Sequence, residues 1–154
     1  WGIQGLDILG RKVRLAGGAA LELLAAEMQP TLEVARGSDT LSAHADALAA
    51  AWQQVQQTVA AVAGCEDRER ALANATSFLD GFGHVIVSWL WLRQALVAEA
   101  ALAENNKDTA FYEGKLKACR YFFRYELPVA ITRLALVETL DDTCLTIEPT
   151  QFTG

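Results

Sequence analysis

The sequence predicts an all-α protein: an antiparallel, up-and-down bundle of the four-helix type, preceded by a short helical N-terminal segment. Composition is the first reason. Only three prolines and eleven glycines occur among 154 residues, and 52% of the chain is hydrophobic, a residue set that favours helix over strand and suffices for one sizeable core. The second reason is periodicity, since apolar residues recur in alternating steps of three and four, the spacing that keeps side chains on one helical face. The third is the shortness of the turns at Gly64-Cys65 and Asn105-Asn106, which leaves no room for crossovers between neighbouring helices.

In chain order, residues 3–9 read as the end of a helix, Gly17-Gly18 as a turn, and residues 19–28 as a short helix stopped before Pro30. Residues 38–63 form the clearest periodic element. Ser38 or Asp39 is suited to cap its free N–H groups, Gly64 to terminate it, and its stripe is Leu41, Ala45, Leu48, Trp52, Val55, Val59 and Val62. The next helix is expected over 66–104, with Glu66 and Asp67 at the positive end of its dipole and Asn105-Asn106 as its break. It carries two apolar stripes: Phe78, Phe82, Val85, Trp89, Leu92 and Leu96 on one, Leu79, Ile86, Leu90 and Val97 on the other. That is too much apolar surface for one neighbour. Trp89 and Trp91, two residues apart, cannot point into the same core; Trp91 faces either another protein surface or a neighbouring helix of the same chain. A further helix over 108–127 places Phe111, Ala118, Phe122 and Tyr125 on its stripe, with Glu113, Lys117, Arg120 and Arg124 outside it. Pro128 then forces a kink or restart before Ile131, Leu134 and Val137, ending near Asp141-Asp142. The last ten residues lack periodicity. Residues 1–36 are expected to be a connecting helical lobe and 37–154 the bundle, together one compact unit.

A formal net charge of −6 opposes a nucleic-acid partner, whose binding draws on clustered Lys and Arg; the one basic run, Arg11-Lys12-Val13-Arg14, reads as a solvated face. No basic n-region with a cleavage site opens the chain, and the sole methionine, Met28, is internal, so a front-truncated chain is expected. The longest apolar stretch, 82–92, is interrupted by Gly83, His84 and Ser88 and falls short of the ~20 residues of a bilayer span. Three widely spaced cysteines, Cys65, Cys119 and Cys144, suggest reduced thiols and a cytoplasmic setting.

A search for self-sufficient chemistry finds none. Metal-binding bundles use Glu-x-x-His pairs, whose three-residue spacing converges on one ion; His44 and His84 are isolated, and no metal site is expected. There is no nucleophile elbow and no Cys–His pair. Gly81-Phe82-Gly83 follows no strand, so it reads as close helix packing rather than a phosphate loop. Asp141-Asp142 and Glu66-Asp67 sit at helix ends, where solvated acids are ordinary.

One segment is specific. Gly2-Ile3-Gln4-Gly5-Leu6-Asp7-Ile8-Leu9-Gly10-Arg11-Lys12 resembles the C-terminal region of acyl-CoA dehydrogenases. Phe82-Gly83, Trp91-Leu92-Arg93, Phe111-Tyr112-Glu113-Gly114-Lys115-Leu116, Ala118-Cys119-Arg120-Tyr121-Phe122 and Leu127-Pro128 resemble the extra C-terminal helical domain of a bacterial branch of that family. The resemblance implies a flavoprotein oxidoreductase of fatty-acid oxidation, in which a glutamate removes the α proton of an acyl-CoA and the β hydride passes to FAD. That glutamate, by the same resemblance, precedes Trp1, so no catalytic residue is expected in this chain. Trp1 and Gly2 are expected beside the FAD, mainly through backbone groups, without the chain retaining the cofactor alone. The implied partners are the acyl-CoA and the remainder of the dehydrogenase, with homo-oligomer contacts made by the bundle. The rival reading, from the amphipathic stripes, is a non-catalytic helical interaction module.

Overall fold

The computed structural model describes residues 2–104 and 107–153, and its regular structure is entirely helical among the described residues. The elements are α1 (Ile3–Gly10), a 3-10 stretch (Lys12–Gly18), α2 (Ala19–Arg36), α3 (Ser42–Gly64), α4 (Arg68–Leu72) and α5 (Ala75–Ala103). They are followed by α6 (Thr109–Tyr121), a π-helical turn (Phe122–Glu126), α7 (Leu127–Glu138), α8 (Thr143–Thr146) and a terminal 3-10 turn (Pro149–Phe152). The expected break at Asn105-Asn106 lies outside the described residues.

Cross-helix contacts fix the directions. On α2, Thr31 accepts from Trp89 Nε1 at 3.0 Å, and beyond its end Ser38 donates to Glu99 at 2.9 Å, so α2 and α5 run parallel. Going up α5, Asn74 donates to the Asp141 carbonyl at 2.7 Å, Gly81 faces Leu134, His84 stacks on Phe122, and Trp91 meets Lys115. The partner numbers fall as the α5 numbers rise, so the α6–α7 leg runs antiparallel to α5. On α3, His44 packs on Phe123 and Thr58 donates to the Leu134 carbonyl at 3.1 Å, so α3 runs alongside that leg in the same direction. The result is the expected up-down-up-down bundle. Its core holds Leu48, Val55, Phe78, Val85, Leu92, Leu127 and Leu134, all fully buried, each large side chain contributing about 1.5–3 kcal/mol.

Five expectations are corrected. The helix expected to stop before Pro30 continues to Arg36, with Met28, Leu32 and Ala35 buried around the proline; core packing on both sides of Pro30 carries the helix past the missing N–H. The helix expected from Ser38 begins at Ser42, because Ser38 Oγ accepts from the N–H groups of Thr40 and Leu41 one turn earlier. The helix expected over 66–104 is divided at Ala73-Asn74, where Asn74 is drawn to Asp141 and α1 presses on Ala75. The stripe expected on Phe111, Ala118, Phe122 and Tyr125 is shifted: Cys119, Phe123 and Leu127 are buried, whereas Phe111 and Tyr125 are exposed. The last helical turn closes at Glu138, short of Asp141-Asp142, and Leu140 follows in a left-handed conformation (φ 55°).

By length and composition, Arg68–Ala103 is long and apolar enough to cross a membrane. In the bundle α1, α2, α3, α6 and α7 all lie against α5, which covers its first apolar stripe and part of the second, while Leu90 and Val97 of the second remain exposed. Trp91 sits within this packing, its ring under the Lys115 ammonium at 5.4 Å. Of the two places open to it, the structure puts it against a helix of the same chain.

Candidate functional site

The N-terminal segment is a wedge seated on the α4–α5 junction. A Cβ on Gly5 would stand 2.5 Å from the Ala75 carbonyl oxygen, a distance that excludes any side chain there. Leu9 is fully buried, and Gly10 sits within van der Waals reach of Leu72. Gly2 adopts a left-handed conformation (φ 82°), with Thr76 Oγ1 3.1 Å from where a Cβ would be; glycine alone takes that geometry without strain. Its carbonyl accepts from Leu6 N–H at 3.1 Å. Asp7 closes the segment by accepting from Arg11 at 2.7 Å and pairing with Lys12 at 3.3 Å. The Arg11 hydrogen bond leads the contributions that hold its carboxyl below the usual range. Trp1 lies outside the described residues, so of the two expected cofactor-edge residues the structure places only Gly2.

Thr76, which would crowd a Cβ at Gly2, also begins an open groove of about 670 Å³ that runs along α5 toward Phe122 and Arg133. Its polar groups form a chain. Asp80 is ion-paired with Arg133 from α7. His84 Nδ1 lies 2.7 Å from the Asp80 carbonyl, and since a carbonyl only accepts, that nitrogen is the donor. Nε2 then turns toward the Glu126 carboxylate, 3.8 Å away, and Tyr121 donates to the other Glu126 oxygen at 3.3 Å. This cluster ties α5 to the descending leg. Sequence inspection missed it because only the Asp80/His84 pair is local; Glu126 and Arg133 lie more than forty residues away.

The arrangement offers no nucleophile–base pair. Cys119 is fully buried, and burial pushes its thiol up to about 12, so it remains protonated and unreactive. Cys65 donates its thiol hydrogen to the Asp67 carbonyl at 3.3 Å. Among the described residues no three His, Cys, Asp or Glu side chains are placed to share a metal ion. Gly2 presents a backbone edge without a side chain. The cavity beside it is an open groove rather than a cradle closed around a ring system.

Two comparisons bear on this geometry. A family model described as acetyl-CoA dehydrogenase C-terminal like matches residues 24–148. The chain is also similar to the broad-specificity linear acyl-CoA dehydrogenase FadE5 of Mycobacterium tuberculosis (strain ATCC 25618 / H37Rv). Identity is 29% over an alignment of 160 residues that covers 97% of this chain and 26% of that protein. The chain thus spans about a quarter of the length of the curated relative it matches.

Proposed function

Because the chain belongs to the acetyl-CoA dehydrogenase C-terminal-like family, we propose that it is the C-terminal portion of an FAD-dependent acyl-CoA dehydrogenase, acting as packing and oligomer-contact scaffold while the catalytic glutamate lies before Trp1. The observation that carries the reading is the seating of Gly2–Gly10 on α4–α5 through Gly5 and Leu9. The segment that resembles the dehydrogenase's cofactor edge is built into the bundle, so the bundle holds that edge in a defined position. FAD, when bound, accepts the β hydride. This chain's share is to present the Gly2 backbone, with Trp1, at the flavin's rim and to support it from behind with Thr76 and Ala75. The acyl-CoA is met by the remainder of the dehydrogenase.

The oligomer-contact role draws support from the second stripe of α5. Leu90 and Val97 remain exposed, and Phe111 of α6 stands beside them 60% exposed, around an open groove of about 430 Å³. The test is direct. The purified chain should retain no flavin absorbance after gel filtration and should not reduce an electron acceptor in the presence of a linear acyl-CoA. Tight FAD retention together with acyl-CoA oxidation would sink the reading.

A further inference from the structure

The two open grooves beside α5 lie end to end as one furrow. Asp80, Gly83, Val87, Leu90, Gln94 and Val97 follow one another in steps of three and four, so they share one face of α5 over about 25 Å of helix. Asp80, Gly83 and Val87 line the stretch nearer Gly2, and Leu90, Gln94 and Val97 line the far stretch. The descending leg walls both, with Phe122 and Arg133 on the first and Phe111 and Lys115 on the second. Val87, Leu90 and Val97 are exposed along this line.

Gly83 decides the shape of what fits. It lies inside α5, where glycine is less stable than alanine, and a Cβ there would meet nothing within 4 Å. No helix of its own chain needs that space, in contrast to Gly81, which faces Leu134. The bare position leaves a hollow in the furrow, and Leu90, seven residues on, stands exposed on the same face. A hollow and a knob on one face complement each other when the same face of a second copy meets it antiparallel. The midpoint between them falls beside Val87, which places the twofold axis.

Charge selects the same direction. The stretch nearer Gly2 carries Asp80, with Glu126 behind it at His84, against the one guanidinium of Arg133. The far stretch is lined by Arg93 and Lys115 and by no carboxylate. Antiparallel seating brings Asp80 opposite Gln94 and Lys115 of the second copy, whereas parallel seating sets like ends together.

Taking the bundle as an oligomer contact, we propose that this furrow receives a second copy of the same chain. The two α5 helices lie antiparallel about a twofold axis beside Val87, and Leu90 of each copy fills the hollow over Gly83 of the other. Phe111 and Val97 close the ends of the contact.

Gly83→Leu separates this geometry from general stickiness, because it adds apolar surface while blocking the hollow. Sedimentation velocity should show self-association of the parent chain weakened by about tenfold or more in Gly83→Leu, with helicity by circular dichroism unchanged. Single cysteines, introduced into a Cys65→Ser and Cys144→Ser background, report the register. Under mild oxidation Val87→Cys should join its own copy, since it sits at the axis. Gly83→Cys and Leu90→Cys should join each other when mixed and not themselves, because a disulfide needs Cα atoms within about 7 Å. A parent that self-associates but is untouched or strengthened by Gly83→Leu, or a Leu90→Cys variant that joins itself, would overturn this geometry while leaving an oligomer contact elsewhere. A chain that stays monomeric at every concentration and associates only with the remainder of the dehydrogenase would overturn it too, by assigning the furrow to that part. Flavin retention, which tests the dehydrogenase reading, moves with none of these outcomes.

Discussion

At the scale of single residues, three glycines of similar sequence context have different structural duties. Gly5 and Gly81 each face another helix at a distance no Cβ tolerates: 2.5 Å to the Ala75 carbonyl oxygen for Gly5, 2.8 Å to Leu134 Cγ for Gly81. Gly83, two residues on, would place its Cβ in open space. Alanine at Gly5 or Gly81 should therefore destabilise by about 1–3 kcal/mol through overpacking, and alanine at Gly83 should stabilise by about 0.5–1 kcal/mol by removing backbone entropy. Thermal melts of the three variants check the signs. The reading of Gly81-Phe82-Gly83 as close packing is right for its first glycine only, because local sequence does not tell which face of α5 meets α7. Thiol chemistry supplies a second residue-scale prediction. Exposed Cys144 should react promptly with a disulfide reagent, while Cys119, its thiol pushed up to about 12, should react only on unfolding. Prompt labelling of Cys119 in the folded protein would contradict its burial.

Among the elements, α4 shows how much of the fold the sequence makes readable. Asp67, expected at a helix start from its charge alone, caps α4, accepting from Glu69 N–H at 2.9 Å and Arg70 N–H at 3.2 Å. Asp67→Ala should cost about 1 kcal/mol, measured by denaturant unfolding. The stripe of residues 38–63 was readable because strong periodicity leaves one register even though the helix starts four residues later than expected, and Ala45, Leu48, Trp52, Val55 and Val62 are buried as expected. The α6–α7 leg was not. Its buried positions Cys119, Phe123 and Leu127 follow steps of four because the π-helical turn Phe122–Glu126 inserts a wider turn just ahead of Pro128. A uniform helical period therefore selects Phe122 and Tyr125, the wrong face. The Asp80–His84–Glu126–Arg133 cluster depends on that same turn and was hidden with it. His44 extends the argument to pH. Its folded-state pKa is lowered, so between that value and the unfolded midpoint near 6.5 the unfolded chain binds more protons and stability falls as pH falls. His44→Gln should flatten this part of the stability profile, as read from unfolding midpoints above and below about pH 6.

At the scale of the whole molecule, α5 has more apolar surface than its neighbours cover. Leu79 and Ile86 of its second stripe are partly buried, but Leu90 and Val97 continue the line into solvent and meet Phe111 from α6. Arg93, Gln94 and Lys115 rim that patch, an apolar centre with a polar border, as protein contacts commonly have. If this face joins copies of the protein or the bundle to the rest of the dehydrogenase, introducing charge at its centre must separate the assembly without disturbing the core. Val97→Glu and Phe111→Glu alter side chains that are 65% and 60% exposed, so helicity and melting midpoint should change little. Sedimentation velocity on the parent protein should show a concentration-dependent shift to larger species, and the double variant should sediment as a monomer throughout. A parent that stays monomeric at every concentration and gains nothing from the remainder of the dehydrogenase would leave the exposed end of the stripe without a contact role.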